Sequence, residues 1–173
     1  MLQRFHCEPL VGIYVGAWFL FSVTGLWMLF QYVSTPGGQP AAPQDWPSEC
    51  SIERATDAQT LVMFVHPHCP CTRASLRELE RVVAQSGGAV NPRIVISLPS
   101  EAPADWRSTE LRNLAERIPG SIVIDDADGE EARRFGVGIS GTTLLYDARG
   151  KLAFQGGITA GRGHQGDNAG ESA

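Results

Sequence analysis

The sequence predicts an α/β domain, a mixed β-sheet with helices on both faces, carried behind one membrane-spanning helix. Three observations lead there. No charged residue occurs between Pro9 and Gln44. Beyond that gap, short apolar runs alternate with stretches of helical spacing, the pattern of a layered α/β domain. The last two apolar runs are separated only by a turn, which makes them a hairpin.

The first element is Leu10 to Val33, LVGIYVGAWFLFSVTGLWMLFQYV, whose polar members are Ser22, Thr24 and Gln31. As a helix it would extend about 36 Å, enough to cross a hydrocarbon core of about 30 Å. A cleaved signal peptide has an apolar region of about 7 to 15 residues and a small-residue cleavage site. Phe30 to Val33 offers no such site, so the run reads as an uncleaved anchor behind a short leading segment, residues 1–9. Arg4, His6 and the amino terminus precede it, whereas Asp45 and Glu49 are the first charges after it. The positive-inside rule then puts the amino terminus in the cytoplasm and the domain in the periplasm or outside the cell, on a single-pass protein of the inner or cell membrane. Residues 34–50, STPGGQPAAPQDWPSEC, are rich in proline and glycine and lack apolar periodicity, as a semi-rigid linker would. A domain over residues 51–158 and a glycine-rich tail over 159–173 complete the chain.

Within the domain, Leu61 to Val65 (LVMFV) is a continuous apolar run, the mark of a buried central strand. After His66-Pro67-His68-Cys69-Pro70-Cys71, residues from Thr72 to Ala84 place Leu76, Leu79 and Val83 on one helical face, and Gly87-Gly88 ends that helix. Arg93 to Leu98 is a second strand. Ser108 reads as the N-cap of a helix that buries Leu111, Leu114, Ala115 and Ile118 and closes at Pro119-Gly120. Ser121 to Asp125 is a short strand, Asp128-Gly129 a turn, and a short helix runs through Phe135. Thr142 to Tyr146 and Lys151 to Gly156 are the hairpin strands, joined at Ala148-Arg149-Gly150. The resulting order is β-α-β-α-β-α-β-β.

Composition limits the function. The 173 residues are 43% hydrophobic and 19% charged, with a mean hydropathy of −0.10, averages that combine an uncharged span with an acidic domain. Arg4 and Glu8 cancel, so the net charge of −5 belongs to residues 34–173. With a single lysine, Lys151, and scattered arginines there is no basic stripe for a phosphate backbone, which excludes nucleic acid as a partner. Four cysteines are too few for a disulfide scaffold, and Cys7 and Cys50 stand apart from the pair Cys69 and Cys71. Gly136-Val-Gly138-Ile-Ser-Gly141 has the spacing of a dinucleotide loop but follows a helix and enters a strand, the reverse of what a pyrophosphate requires. Asp126-Ala-Asp128-Gly129 lacks the further ligands of a calcium loop and reads as a turn.

The cysteine pair sits where a buried strand gives way to a helix. Unpaired backbone N–H groups and the helix dipole favour a negative charge there. Pro70 suits the first helical position and pushes Cys69 into the extended conformation of an N-cap. A thiolate so placed has a lowered pKa, and the thiolate is the attacking species in disulfide exchange.

Strand LVMFV, the cysteine motif, the helix, and later Phe135-Gly136-Val137 leading to Thr142-Thr143-Leu144-Leu145-Tyr146-Asp147 resemble the thioredoxin fold over roughly residues 59–158. With its anchor and proline-rich linker, the chain is similar to membrane-tethered thiol-disulfide oxidoreductases of the TlpA/ResA type, and HPHCPCTRASL is similar to bacterial RedB-like proteins. The resemblance implies a thioredoxin-like mixed sheet with flanking helices, with Cys69 attacking and Cys71 resolving. It also implies exported thiol or disulfide proteins as partners, a membrane electron donor or acceptor, and no cofactor. Two features depart from the family. One residue separates the cysteines where the family has two, and residues two apart on a helix point about 200° apart. A Cys69–Cys71 disulfide therefore needs Cys69 off the helix and carries strain, which favours an oxidant or isomerase. Thr142 falls at the family's cis-proline position.

His68, Pro70, Thr142, Arg162 and His164 are candidates to line the site, the last two because the chain after the hairpin should return to the cysteine end. His164 would shuttle protons and Arg162 would favour the thiolate. That segment is glycine-rich and a poor helix former, so one face of the sheet is expected to lack the helix that usually closes this fold. A second function uses the same residues: His66, His68, Cys69 and Cys71 are four ligands suited to Cu(I) or Zn(II), in a metal-binding or metal-delivery protein. A third is a thioredoxin-like interaction module without turnover.

Overall fold

The computed structural model describes residues 8–35, 38, 40–161 and 163. They fall into two compact units, Met1–Pro36 and Gly37–Ala173. The first unit is helix α1, Glu8–Ser34. Within it Val11–Ser34 is long and apolar enough to cross a membrane. Thr24 Oγ1 donates to the Leu20 carbonyl at 2.8 Å, which turns that hydroxyl back onto its own helix.

The second unit is a five-stranded sheet with strands β1 (Gln59–Val65), β2 (Val90–Leu98), β3 (Ile122–Ala127), β4 (Thr142–Tyr146) and β5 (Leu152–Gly156). The spatial order is β3-β2-β1-β4-β5. β1, β2 and β3 are mutually parallel, while β4 runs antiparallel to β1 and β5 antiparallel to β4. Central placement explains the unbroken apolar run of β1, since Leu61 to Val65 are all buried. β2 begins three residues before the apolar run suggested and contains Pro92. The proline is tolerated because pairing with β3 starts only at Arg93.

Alternation along β1 divides the core. Leu61, Met63 and Val65 meet Leu76, Leu79 and Val83 of α2 (Thr72–Gln85) and Leu111, Ala115 and Ile118 around α3 (Glu110–Arg117). Val62 and Phe64 meet Phe135, Leu144 and Tyr146 on the opposite face, where the short helix α4 (Glu130–Arg134) lies. The N-cap of α3 is Thr109, whose hydroxyl accepts from the Arg112 N–H at 3.2 Å, while Ser108 ends a preceding 3-10 turn, Ala104–Ser108.

The segment from Pro40 to Ile52 is not a free linker. The Ala42 N–H donates to Gln155 Oε1 at 2.8 Å, the Leu152 N–H to the Gln44 carbonyl at 2.9 Å and the Trp46 N–H to the Gly150 carbonyl at 2.8 Å. Asp45 and Lys151 form an antiparallel bridge and an ion pair. The segment thus acts as a strap along β5, blunting a sheet edge. Trp46 meets Phe135 and Tyr146 edge to face, with ring centres 5.2 and 5.1 Å apart. Ala42, Trp46 and Ile52 bury apolar surface that holds the segment against the sheet. The strap and α4 together cover the face opposite α2 and α3, and among the described residues no helix follows β5.

Candidate functional site

β1 delivers the motif to the carboxyl edge of the sheet, where His66 leaves the strand. The Cys69 N–H donates to the His66 carbonyl at 3.0 Å and the Thr72 N–H to the Cys69 carbonyl at 3.2 Å, so two successive turns carry the chain into α2. The helix itself starts at Thr72 with Cys71 as its N-cap. This corrects the expected assignment of Cys69 as N-cap and Pro70 as first helical residue. Pro70 is the exposed corner of the second turn, and Cys69 lies off the helix. Cys69 is half-buried and Cys71 exposed, and both are free thiols.

Hydrogen-bond donors surround the Cys69 sulfur. Burial works to raise its pKa. Bonds from the Thr72 hydroxyl and amide, the Cys71 amide and the Ser140 hydroxyl outweigh it and hold the thiol below its ordinary value. Ser140 is itself fixed, because its Oγ accepts from the His66 N–H at 2.8 Å and lies 2.8 Å from Thr72 Oγ1. Gly141, with φ at +90°, starts the return of the chain into β4, and its N–H donates to the Phe64 carbonyl at 2.7 Å. Ser140 and Thr72 thus meet across the sheet edge. Neither stands out in sequence, since nothing in a lone serine or threonine signals a partner 68 residues away.

Thr142 does not line this site. It is the first residue of β4, pairs with Phe64, is 1% exposed, and donates its hydroxyl to the Ile139 carbonyl at 2.7 Å. Ser140 takes the position against Cys69, two residues earlier. No cis peptide bond occurs among the described residues.

His66 and His68 turn towards Trp106, an unanticipated neighbour carried by the 3-10 turn. The ring centres lie 5.3 Å (His66) and 4.7 Å (His68) from the indole. The His68 N–H donates to His66 Nδ1 at 3.3 Å, so a neutral His66 carries its proton on Nε2. Among the described residues no three His, Cys, Asp or Glu side chains converge as metal ligands. The set His66, His68, Cys69 and Cys71 is therefore not gathered for Cu(I) or Zn(II): the imidazoles close on Trp106 while Cys69 closes on Thr72 and Ser140. The chain after β5 does come back to the cysteines, and a Cβ at Gly163 would stand 3.5 Å from Cys71 Sγ. Arg162 and His164, on either side of Gly163, lie outside the described residues, as does Cys7. Cys50 packs beside Trp46 in the strap, and burial pushes its thiol pKa up.

A central strand delivering a cysteine motif to a helix, within a β3-β2-β1-β4-β5 sheet that ends in an antiparallel hairpin, defines a thioredoxin-like fold. Solved structures share it. A hypothetical protein, SMc02350 from Sinorhizobium meliloti 1021, superposes with a TM-score of 0.55 at 18% identity, covering 79% of each chain. An uncharacterized conserved protein from Geobacillus kaustophilus gives 0.53 at 21% identity, covering 77% of this chain and 74% of that one. Identities at this level establish the fold alone. A secreted Mycobacterium tuberculosis disulfide oxidoreductase homologous to E. coli DsbE overlaps more loosely, at 0.46 and 18% identity over 61% of this chain and 76% of its own. No family model matches the chain, and no curated protein does.

Proposed function

We propose that this protein is a membrane-tethered thiol-disulfide oxidoreductase whose Cys69 attacks and whose Cys71 resolves. The observation that carries the reading is the half-buried Cys69 at the end of a central strand, beside Thr72, Cys71 and Ser140, whose polar groups hold its thiol pKa below the ordinary value. Such an environment stabilises a thiolate and leaves it accessible, the two conditions for exchange.

In the reductive direction the Cys69 thiolate attacks one sulfur of a partner disulfide. That S–S bond breaks, a Cys69–partner bond forms, and the second partner sulfur leaves as a thiolate and takes a proton from water. The Cys71 sulfur, deprotonated to solvent, then attacks Cys69 Sγ. The Cys69–Cys71 bond forms and the partner's first sulfur departs as thiolate. Two electrons pass from the cysteine pair to the partner, and a dithiol reductant or membrane electron donor restores the pair. Run backwards, the same steps oxidise a partner dithiol and deliver the electrons to an acceptor. Cys69 off the helix gives the pair the freedom that a one-residue spacing requires, and the short ring argues for an oxidising couple. The α1 span and the charge distribution around it support a domain in the periplasm or outside the cell, where its partners would be exported thiol or disulfide proteins.

The test uses the full chain in detergent micelles. Free thiols are counted across a series of redox buffers running from dithiothreitol to glutathione, and the Cys71→Ser variant is offered a peptide disulfide. One Cys69–Cys71 bond forming at a defined potential, together with a trapped Cys69–peptide adduct, supports the assignment. No such bond at any potential refutes it, and a bond without an adduct points to the interaction module instead.

A further inference from the structure

A cleft of about 150 Å³ opens on the far side of the sheet edge from α2, lined by Phe64, Val95, Val137 and Ile139 and bordered by His66 and Ser140. His66 and Ser140 are the pair joined by the 2.8 Å hydrogen bond beside Cys69, so the cleft and the thiol share one wall. Asp126 also lines it, but both its carboxylate oxygens are engaged: Oδ1 accepts from the Glu131 N–H at 2.8 Å and Oδ2 from the Ala132 N–H at 3.0 Å. Both oxygens are turned to the start of α4, and the rest of the lining is apolar apart from Ser97, Ser140 and His66.

Size narrows the occupant. Small-molecule and cofactor sites enclose about 300–1,000 Å³, whereas an apolar cavity of about 150 Å³ takes a molecule the size of benzene. The cleft is too small for a free cofactor and of a size for one side chain. We propose that it receives a single bulky apolar side chain, aromatic or branched aliphatic, of the disulfide partner, lying close in sequence to the cysteine that bonds Cys69. This deepens the oxidoreductase assignment and rests on it. Acidic residues at that register would be rejected, because the Asp126 carboxylate already lines the cleft and the apolar walls offer no solvation.

The test measures the rate at which the reduced full-length protein in micelles cleaves hydroxyethyl disulfide and a set of peptide disulfides. The peptides differ only in carrying Phe, Ser or Asp at each position flanking the cysteine. At one register Phe is expected to react about tenfold faster than Ser, the effect of burying part of one apolar side chain, and Asp slower still. Gly138 lines the cleft and a Cβ there would meet nothing within 4 Å, so Gly138→Phe puts a ring into the space. That variant should lose the preference and keep the rate with hydroxyethyl disulfide. If Gly138→Phe fails to fold by circular dichroism, Ile139→Arg replaces it and should invert the preference between Phe and Asp. Equal rates for Phe, Ser and Asp at every register, in protein that cleaves hydroxyethyl disulfide, overturn the cleft proposal alone. A preference that survives Gly138→Phe does the same. Failure to cleave hydroxyethyl disulfide overturns the oxidoreductase assignment beneath it.

Discussion

Ser140→Ala removes one of the polar groups that lower the Cys69 thiol pKa. A hydrogen bond to a charged group contributes about 1.5–3 kcal/mol. The sulfur is half-buried and keeps the Thr72 and Cys71 groups, so the low end applies, and about 1.4 kcal/mol is one pKa unit. The thiolate midpoint should therefore rise by about one unit. At pH values below both midpoints the thiolate fraction falls about tenfold, and the greater intrinsic nucleophilicity of a more basic thiolate returns about threefold. Cys69 should then react about threefold more slowly. The assay is the pH dependence of iodoacetamide alkylation in a Cys71→Ser background, with thiolate absorbance as an independent readout, and Ser140→Thr should restore the midpoint. The bond also makes folding pH-dependent. A depressed folded-state pKa stabilises the protein fully above the unfolded thiol value of about 8.5, and that contribution fades as pH falls through the folded-state value. The variant should therefore differ more from wild type above pH 8.5 than at acid pH. An unchanged alkylation midpoint in folded Ser140→Ala refutes the assignment of this hydroxyl to the sulfur.

Two further predictions concern the strap. Tyr146 donates its hydroxyl to the Pro43 carbonyl at 3.0 Å, and burial pushes its pKa up to about 12. Tyr146→Phe should cost about 1 kcal/mol in urea unfolding at neutral pH. Because the folded-state pKa is raised, the stabilisation is complete below the unfolded tyrosine value of about 10 and is lost as pH rises towards 12, so the difference between wild type and variant should shrink at about pH 11. Gly136 has φ at +65° and a Cβ there would stand 3.1 Å from the Ala41 carbonyl oxygen, so Gly136→Ala should destabilise by about 1–3 kcal/mol. An unchanged urea midpoint would mean that the strap does not press on this turn in solution.

Periodicity carried the sheet and helices into view because β1 and α2 bury whole faces, and burial writes itself into local pattern. The cysteine pair was equally legible, since thiols two apart at a strand-to-helix junction are a local signal. The strap was not, because what fastens Ala42 and Trp46 is a set of partners more than a hundred residues away, and prolines mark only an extended chain. Ser140 and Trp106 escaped for the same reason: each acquires its role from the meeting of loops at the sheet edge. Thr142 was the nearby residue that the family resemblance pointed to, at its cis-proline position, but as the first member of β4 it is buried and pairs with Phe64.

The strap also sets the order in which the domain can be finished. Pro40 to Trp46 are synthesised first, yet their hydrogen-bonding partners, Tyr146, Gly150, Leu152 and Gln155, are synthesised last. The Ala42–Gln155 bond closes a loop of 113 residues, and closures of that span are what slow folding most. A chain interrupted before β4 can form the β1-β2-β3 part of the sheet, but lacks Tyr146, Gly150, Leu152 and Gln155, on which the strap fastens. The strap can therefore dock only once the carboxy-terminal hairpin has formed, and a chain truncated before that hairpin exposes the apolar surface the strap would cover.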